Sequence, residues 1–201
     1  MTKVKICGLS RLCDIDYVNE LKPEYVGFVF AKSRRQITRE HAITLRMSLD
    51  PSITVVGVFV DEVPKIAGAY AEDGIIDMIQ LHGREDETYI RNLRFQTGCD
   101  IIKAFSVQSS EDVKRACESS ADYILLDHGA GGTGQSFDWN LIGEVDRPYF
   151  LAGGLHPGNV EEAIRKAHPY ALDISSGVET EGKKDRQKIE TVSYTHLRAH
   201  E

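Results

Sequence analysis

No apolar run in this chain approaches the ~20 residues needed to span a bilayer. The first residues, Met1-Thr2-Lys3-Val4-Lys5, enter a strand-like run directly, without the basic n-region and apolar h-region of a signal peptide. Both absences point to a cytoplasmic protein with no membrane partner. Positive charge is also in short supply. Lys and Arg number 24 against 31 Asp and Glu, a net charge of −7. A nucleic-acid backbone demands a basic face, so nucleic acid is excluded as the main partner. A small anion is not excluded, because a few local donors can bind it. The four cysteines, Cys7, Cys13, Cys99 and Cys117, form no C-x-x-C pair and have no interleaved histidines. That argues against a zinc site and a disulfide framework, and in a reducing cytosol they are free thiols. No linker or low-complexity tract divides the 201 residues, a length that suits one domain with a real core.

What the chain does have is alternation. Strand-like runs at residues 4–7, 25–30, 53–60, 78–82, 100–105, 123–126, 149–152 and 170–174 are separated by stretches with helical apolar spacing. Ser10 is placed to cap a helix carrying Leu12, Ile15, Val18 and Leu21, and Thr38 to cap one carrying Ala42, Leu45 and Leu49. A further helix starts near Ser109, His156 and Pro157 open the seventh, and the eighth starts near Asp185. The run at 53–60 is nearly all apolar, as in a parallel strand covered on both faces. Eight such units predict a single α/β domain folded as a (β/α)8 TIM barrel, with an open doubly wound sheet as the competing architecture. The barrel is expected over residues 1–192. Residues 193–201 lose the apolar period and end without a capping signal. They read as an atypical tail resembling translated vector sequence, with an irregular native terminus as the plainer alternative.

In such a barrel every strand ends on one face, and that face carries the active site. Cys7 ends the first run and Asp127 the sixth, so a thiol and a carboxylate distant in sequence meet over one pocket. That is the geometry of a general base facing a general acid. A free thiol titrates near ~8.5 and serves as a base only where its pKa falls or the site drives the transfer. A carboxylate partly desolvated at a strand end is favoured as an acid; the alternative, for Asp127 as for Asp61, is a loop anchor. Cys13, Cys99 and Cys117 read as small buried hydrophobes.

Gly153-Gly154 and Ser176-Gly177 follow the last two strand runs, where barrels build a phosphate site from backbone N–H groups and a helix N-terminus. Tight turns alone are the alternative. The loop Lys32-Ser33-Arg34-Arg35 follows the second run; an arginine there can grip a carboxylate in bidentate fashion, or merely be solvated. Gly131-Gly132-Thr133-Gly134 is not a P-loop and reads as a mobile lid or a close-approach wall. His82 has no partner at metal-ligand spacing, so packing or shaping the substrate site is its expected role.

These motifs together resemble the phosphoribosylanthranilate isomerase family. The matching segments are Lys5-Ile6-Cys7-Gly8, Gly27-Phe28-Val29-Phe30 with Ser33-Arg34-Arg35, and Gln80-Leu81-His82-Gly83. Asp127 with Gly131-Gly132-Thr133-Gly134 and Phe137-Asp138-Trp139, then Ala152-Gly153-Gly154-Leu155 and Ser175-Ser176-Gly177-Val178-Glu179, complete the set. The resemblance covers about residues 3–190 and implies an Amadori rearrangement of N-(5′-phosphoribosyl)anthranilate in tryptophan biosynthesis. It further implies Cys7 as general base and Asp127 as general acid, with Arg35 at the anthranilate carboxylate and Gln80 and His82 in the substrate site. Gly132, Gly153, Gly154, Ser176 and Gly177 fall in the phosphate loops. No cofactor and no metal are implied, because the iminium intermediate itself acidifies the sugar C2′. Three other readings stand beside it. They are a sister phosphosugar isomerase of histidine biosynthesis, which uses a carboxylate in place of Cys7, a non-catalytic phosphosugar-binding module, and a piece of a fused synthase–isomerase. The oligomeric state is not written in these motifs, and a monomer is the simpler expectation.

Overall fold

Side chains alternate across a strand with a period of two, and this divides the apolar residues of the chain into two cores. In the computed structural model, which describes residues 1–128, 138–143 and 145–198, eight parallel strands close into a barrel. They are β1 (Lys3–Cys7), β2 (Tyr25–Val29), β3 (Thr54–Phe59), β4 (Met78–Leu81), β5 (Asp100–Ser106), β6 (Tyr123–Asp127), β7 (Tyr149–Leu151) and β8 (Ala171–Ile174). Each strand pairs with the next, and β1 pairs with β8 to complete the ring. One alternate set, including Val4, Ile6, Val26, Phe28, Ile79, Leu81, Ile124 and Leu126, faces the surrounding helices. The other set, Tyr25, Val56, Met78, Ile102, Leu125, Phe150 and Ala171, fills the interior with one residue from each of β2 to β8. The barrel is thus a packed core and not a pore.

The helices are α1 (Leu12–Leu21), α2 (Arg39–Ser48), α3 (Pro64–Glu72), α4 (Glu87–Gln96), α5 (Ser110–Cys117), α6 (Val160–Ala167) and α7 (Arg186–Arg198). Thr38 and Ser109 cap α2 and α5 as expected, their hydroxyls accepting from the N–H groups of His41 and Asp112. Two starts differ from expectation. Helix α1 begins after Arg11, because the Asp14 carboxylate reaches back to accept the backbone N–H groups of both Ser10 and Arg11. Helix α6 begins at Val160, four residues past His156. The Asn159 side chain there accepts from His156 N–H and donates to the Gly154 carbonyl, holding residues 154–159 in a turn. Between β6 and β7 the described residues carry a short 3₁₀ turn, Trp139–Leu141.

The segment after β8 contains one feature that the apolar pattern did not announce. A short 3₁₀ turn, Ser176–Val178, leads into a hairpin of β9 (Glu179–Thr180) and β10 (Lys183–Lys184). Its two turn residues, Glu181 and Gly182, both have positive φ, the requirement of a tight two-residue hairpin. Helix α7 packs on α1, α6 and β1 and closes the outer ring.

Candidate active site

The polar residues of the interior sit two positions beyond the apolar plug, on the same inward faces. Gln80 follows Met78, Asp127 follows Leu125 and Asp173 follows Ala171. On β1 the inward face carries Lys5 and then Cys7. Strands β1 and β4 are not neighbours in the barrel, so the 2.7 Å hydrogen bond from Lys5 Nζ to Gln80 Oε1 crosses the interior. Lys5 also pairs with Asp173 Oδ2 at 2.9 Å. The lysine side chain is fully buried, and a buried charge needs such partners. Burial works against its charge, yet Asp173 and Cys7 outweigh it and raise the Lys5 pKa above its ordinary value. The second oxygen of the carboxylate, Asp173 Oδ1, is a buried acceptor with no hydrogen-bond partner among the described residues.

Cys7 closes β1 beneath the mouth. A Cβ at position 27 on the neighbouring strand would lie 2.5 Å from Cys7 Sγ, so the sulfur occupies space that only glycine leaves open. Burial lifts the thiol pKa above its ordinary value; Lys5 and Lys184 pull it down and Asp173 pushes it further up. The Cys7 carbonyl accepts from Ser175 Oγ at 3.0 Å, tying the ends of β1 and β8 together.

Asp127 closes β6 and is buried. Its Oδ1 accepts the N–H of His128 at 2.7 Å, and its Oδ2 lies 3.5 Å from His82 Nε2. His82 sits one residue past β4, with its Nδ1 2.9 Å from Gln80 Nε2. Gln80 therefore uses both ends of its amide inside the barrel, and its side chain lies beneath the mouth and not in it. Asp61, by contrast, is a loop anchor, accepting the N–H of Arg84 at 2.6 Å.

Arg35 lies over the mouth with its stem against Gly8, where a Cβ would clash with Arg35 Cδ. Its Nε and Nη2 donate to the two oxygens of Glu179 at 2.7 and 3.0 Å. Arg34 and Lys184 donate to the same carboxylate at 2.6 and 2.8 Å. Burial opposes the charge on Glu179, but Arg35 and Lys184 outweigh it and hold its carboxyl below the ordinary carboxylate range. Of the two arginines, Arg35 is the more enclosed, with 15% of its side chain exposed against 58% for Arg34. Three donors of its guanidinium remain beyond those bound to Glu179.

The two turns expected to bind phosphate come together. Gly153 and Gly154 take positive φ after β7, and the Leu155 carbonyl packs so closely on Gly177 that no Cβ fits there. Ser176 and Gly177 lie in the 3₁₀ turn after β8. Gly132 lies outside the described residues, as does the whole glycine-rich loop around it.

The sequence reading missed Lys5, Asp173, Glu179 and Lys184. A signal was present for the first two: a lysine and an aspartate in the middle of otherwise apolar parallel strands.

A family model described as N-(5′-phosphoribosyl)anthranilate (PRA) isomerase matches residues 4–194 of this chain. An N-(5′-phosphoribosyl)anthranilate isomerase from a Thermoanaerobacter species is 47% identical over 197 residues, covering 95% of this chain and 96% of its own length. The crystal structure of phosphoribosyl anthranilate isomerase from Thermotoga maritima superposes with a TM-score of 0.89 at 37% identity, covering 98% of this chain and 100% of that one. A structure of such an isomerase in complex with reduced 1-(o-carboxyphenylamino)-1-deoxyribulose 5-phosphate gives a TM-score of 0.84 at 35% identity, with coverage of 98% and 100%.

Proposed function

Because this chain belongs to the N-(5′-phosphoribosyl)anthranilate isomerase family, we propose that Cys7 and Asp127 are the base and acid with which it performs that family's reaction. The reaction is the isomerisation of N-(5′-phosphoribosyl)anthranilate, an aminoaldose, to 1-(2-carboxyphenylamino)-1-deoxyribulose 5-phosphate, an aminoketose of tryptophan biosynthesis. The observation that carries the assignment is the placing of a thiol and a carboxylate at the ends of two inward strand faces, β1 and β6, on one rim of the barrel.

Asp127 protonates the ribose ring oxygen, and the C1′–O bond breaks to leave a Schiff base. The cationic nitrogen withdraws electrons and acidifies C2′. Cys7 removes the C2′ proton, the electron pair moves toward nitrogen, and the enolamine tautomerises to the ketone. Electrons are rearranged within the substrate and no net oxidation occurs. Arg35 receives the anthranilate carboxylate on the guanidinium donors that Glu179 leaves open. The backbone of Gly153, Gly154, Ser176 and Gly177 takes the phosphate. His82 borders the substrate, whereas Gln80 supports it from below.

Growth without tryptophan of a bacterium lacking its own isomerase tests the assignment. The unaltered chain is expected to restore growth and the Cys7→Ala and Asp127→Ala variants to fail. Rescue by either variant, present at equal soluble amounts, would refute its role. We place the protein in the cytoplasm and take it to be a monomer, although its Thermotoga maritima relative is described as dimeric; light scattering on the purified chain decides the latter. We also take residues 193–201 to be an atypical, non-native tail, although helix α7 runs on to Arg198. The family match ends at residue 194, and Ser193 Oγ and His196 Nε2 are buried without hydrogen-bond partners among the described residues. A source gene encoding the same tail would refute this.

A further inference from the structure

We propose that Lys5 and Gln80 are positioning residues that fix His82 as the tautomer protonated on Nε2, so that an N–H and not a lone pair faces Asp127.

Histidine tautomers and amide orientations are ordinarily open choices, settled by the network around them. Here the network has a fixed origin. The Lys5 ammonium has donors only, is fully buried, and lies 2.7 Å from Gln80 Oε1 and 2.9 Å from Asp173 Oδ2. Only the carbonyl oxygen of the Gln80 amide can accept from it, so the opposite amide orientation, with N–H against ammonium, is excluded. The amide nitrogen, also donor-only, is then committed to His82 Nδ1 at 2.9 Å. Nδ1 must accept. In the neutral ring the proton therefore resides on Nε2, the atom 3.5 Å from Asp127 Oδ2.

The consequence falls on Asp127. Its Oδ1 already accepts the His128 N–H at 2.7 Å, so one carboxylate oxygen is hydrogen-bonded and the other has the protonated ring nitrogen 3.5 Å away. Once Asp127 has given its proton to the sugar ring oxygen, the carboxylate left behind is met by N–H dipoles on both sides. The reverse tautomer would direct a lone pair at Oδ2 and oppose that charge. A lysine on β1 thus sets the electrostatics of an acid on β6 through Gln80 of β4 and His82 just past its end. This consequence depends on Asp127 acting as the acid; the tautomer assignment does not.

The test is ¹⁵N NMR of the imidazoles in the full chain at about pH 8, above the ~6.5 of an ordinary imidazole, with His82 assigned by comparison with His82→Gln. The expected spectrum has His82 protonated on Nε2 and bare at Nδ1. In Gln80→Glu the side chain still pairs with Lys5 but can only accept from the ring. His82 is then expected to carry its proton on Nδ1 or to become doubly protonated, with kcat lower by about tenfold, a modest share of a general acid's contribution, and KM little changed. An Nδ1–H tautomer in the unaltered chain overturns the proposal, as does an identical His82 spectrum in a folded Gln80→Glu. If that variant does not fold, the spectrum of the unaltered chain decides alone. A tautomer switch in Gln80→Glu combined with full turnover in Asp127→Asn would keep the chain of hydrogen bonds and remove the acid role.

Discussion

As the proposed base, Cys7 must work from surroundings that favour its thiol form. Burial holds its pKa above the ordinary value, so the thiolate fraction is small at neutral pH and grows as pH rises. Inactivation by a thiol-alkylating reagent should therefore quicken as pH rises through about 7 to 9, toward and beyond the ~8.5 of an ordinary thiol; a rate flat over that range would contradict the raised pKa of Cys7. Cys7→Ser, a far poorer base, should cost roughly 10²- to 10⁴-fold in kcat, the range of general acid–base catalysis. The positions of the proposed base and acid were legible in the sequence because each closes an apolar strand run. Lys5 and Asp173 were not assigned, because their partnership joins residues 168 apart, and alternation along a strand does not tell which alternate face points inward.

Elements decide how firmly the site is held, and the hairpin of β9 and β10 is the least expected of them. Its carboxylate, Glu179, gathers Arg34, Arg35 and Lys184. Glu179→Gln keeps the shape but cannot balance three cations, so Arg35 loses its fixed orientation. KM should rise roughly tenfold, about 1.4 kcal/mol, with a smaller change in kcat; unchanged steady-state constants would show that the clamp does not serve the substrate. The sequence does carry the turn, in Glu181-Gly182, but strands of two residues leave no periodic pattern to read. Helix α7 tells the opposite story. Its start near Asp185 follows the pattern, and the helix then continues to Arg198 through the segment that lost its apolar period. The cost is visible at His196, buried with Nε2 unpartnered among the described residues. An unpaired buried polar group costs about 1–3 kcal/mol, but His196→Leu also removes the Nδ1 bond to the Ser193 carbonyl at 2.7 Å, worth about 1 kcal/mol, so Tm should rise by about 2–4 °C; a lower Tm would show that the second ring nitrogen is satisfied.

Over the whole molecule, the barrel separates stability from chemistry by its two ends. The N-terminal end is closed by Lys3, Tyr25 and Tyr170, joined by hydrogen bonds of 2.7 and 2.9 Å, and the C-terminal end carries the proposed base and acid. Burial pushes Tyr89 and Tyr149 well above the ordinary tyrosine value. A raised pKa in the folded state adds stability that is complete below the unfolded value, ~10, and is lost as pH climbs beyond it. Thermal stability should therefore decline above about pH 10, and Tyr149→Phe should lessen that decline. The alternation of eight strand runs made the closed barrel readable, whereas the polar layer inside it emerges only when the ring brings β1, β4, β6 and β8 face to face.

The decisive measurement is the enzyme-dependent loss of phosphoribosylanthranilate fluorescence, with the labile substrate generated in situ. The unaltered chain is predicted to accelerate the loss well beyond spontaneous decay, and Asp127→Asn to bind substrate yet fall by about 10²- to 10⁴-fold in turnover. Undiminished turnover in Asp127→Asn, or no turnover by a chain whose circular dichroism shows it folded, would contradict it.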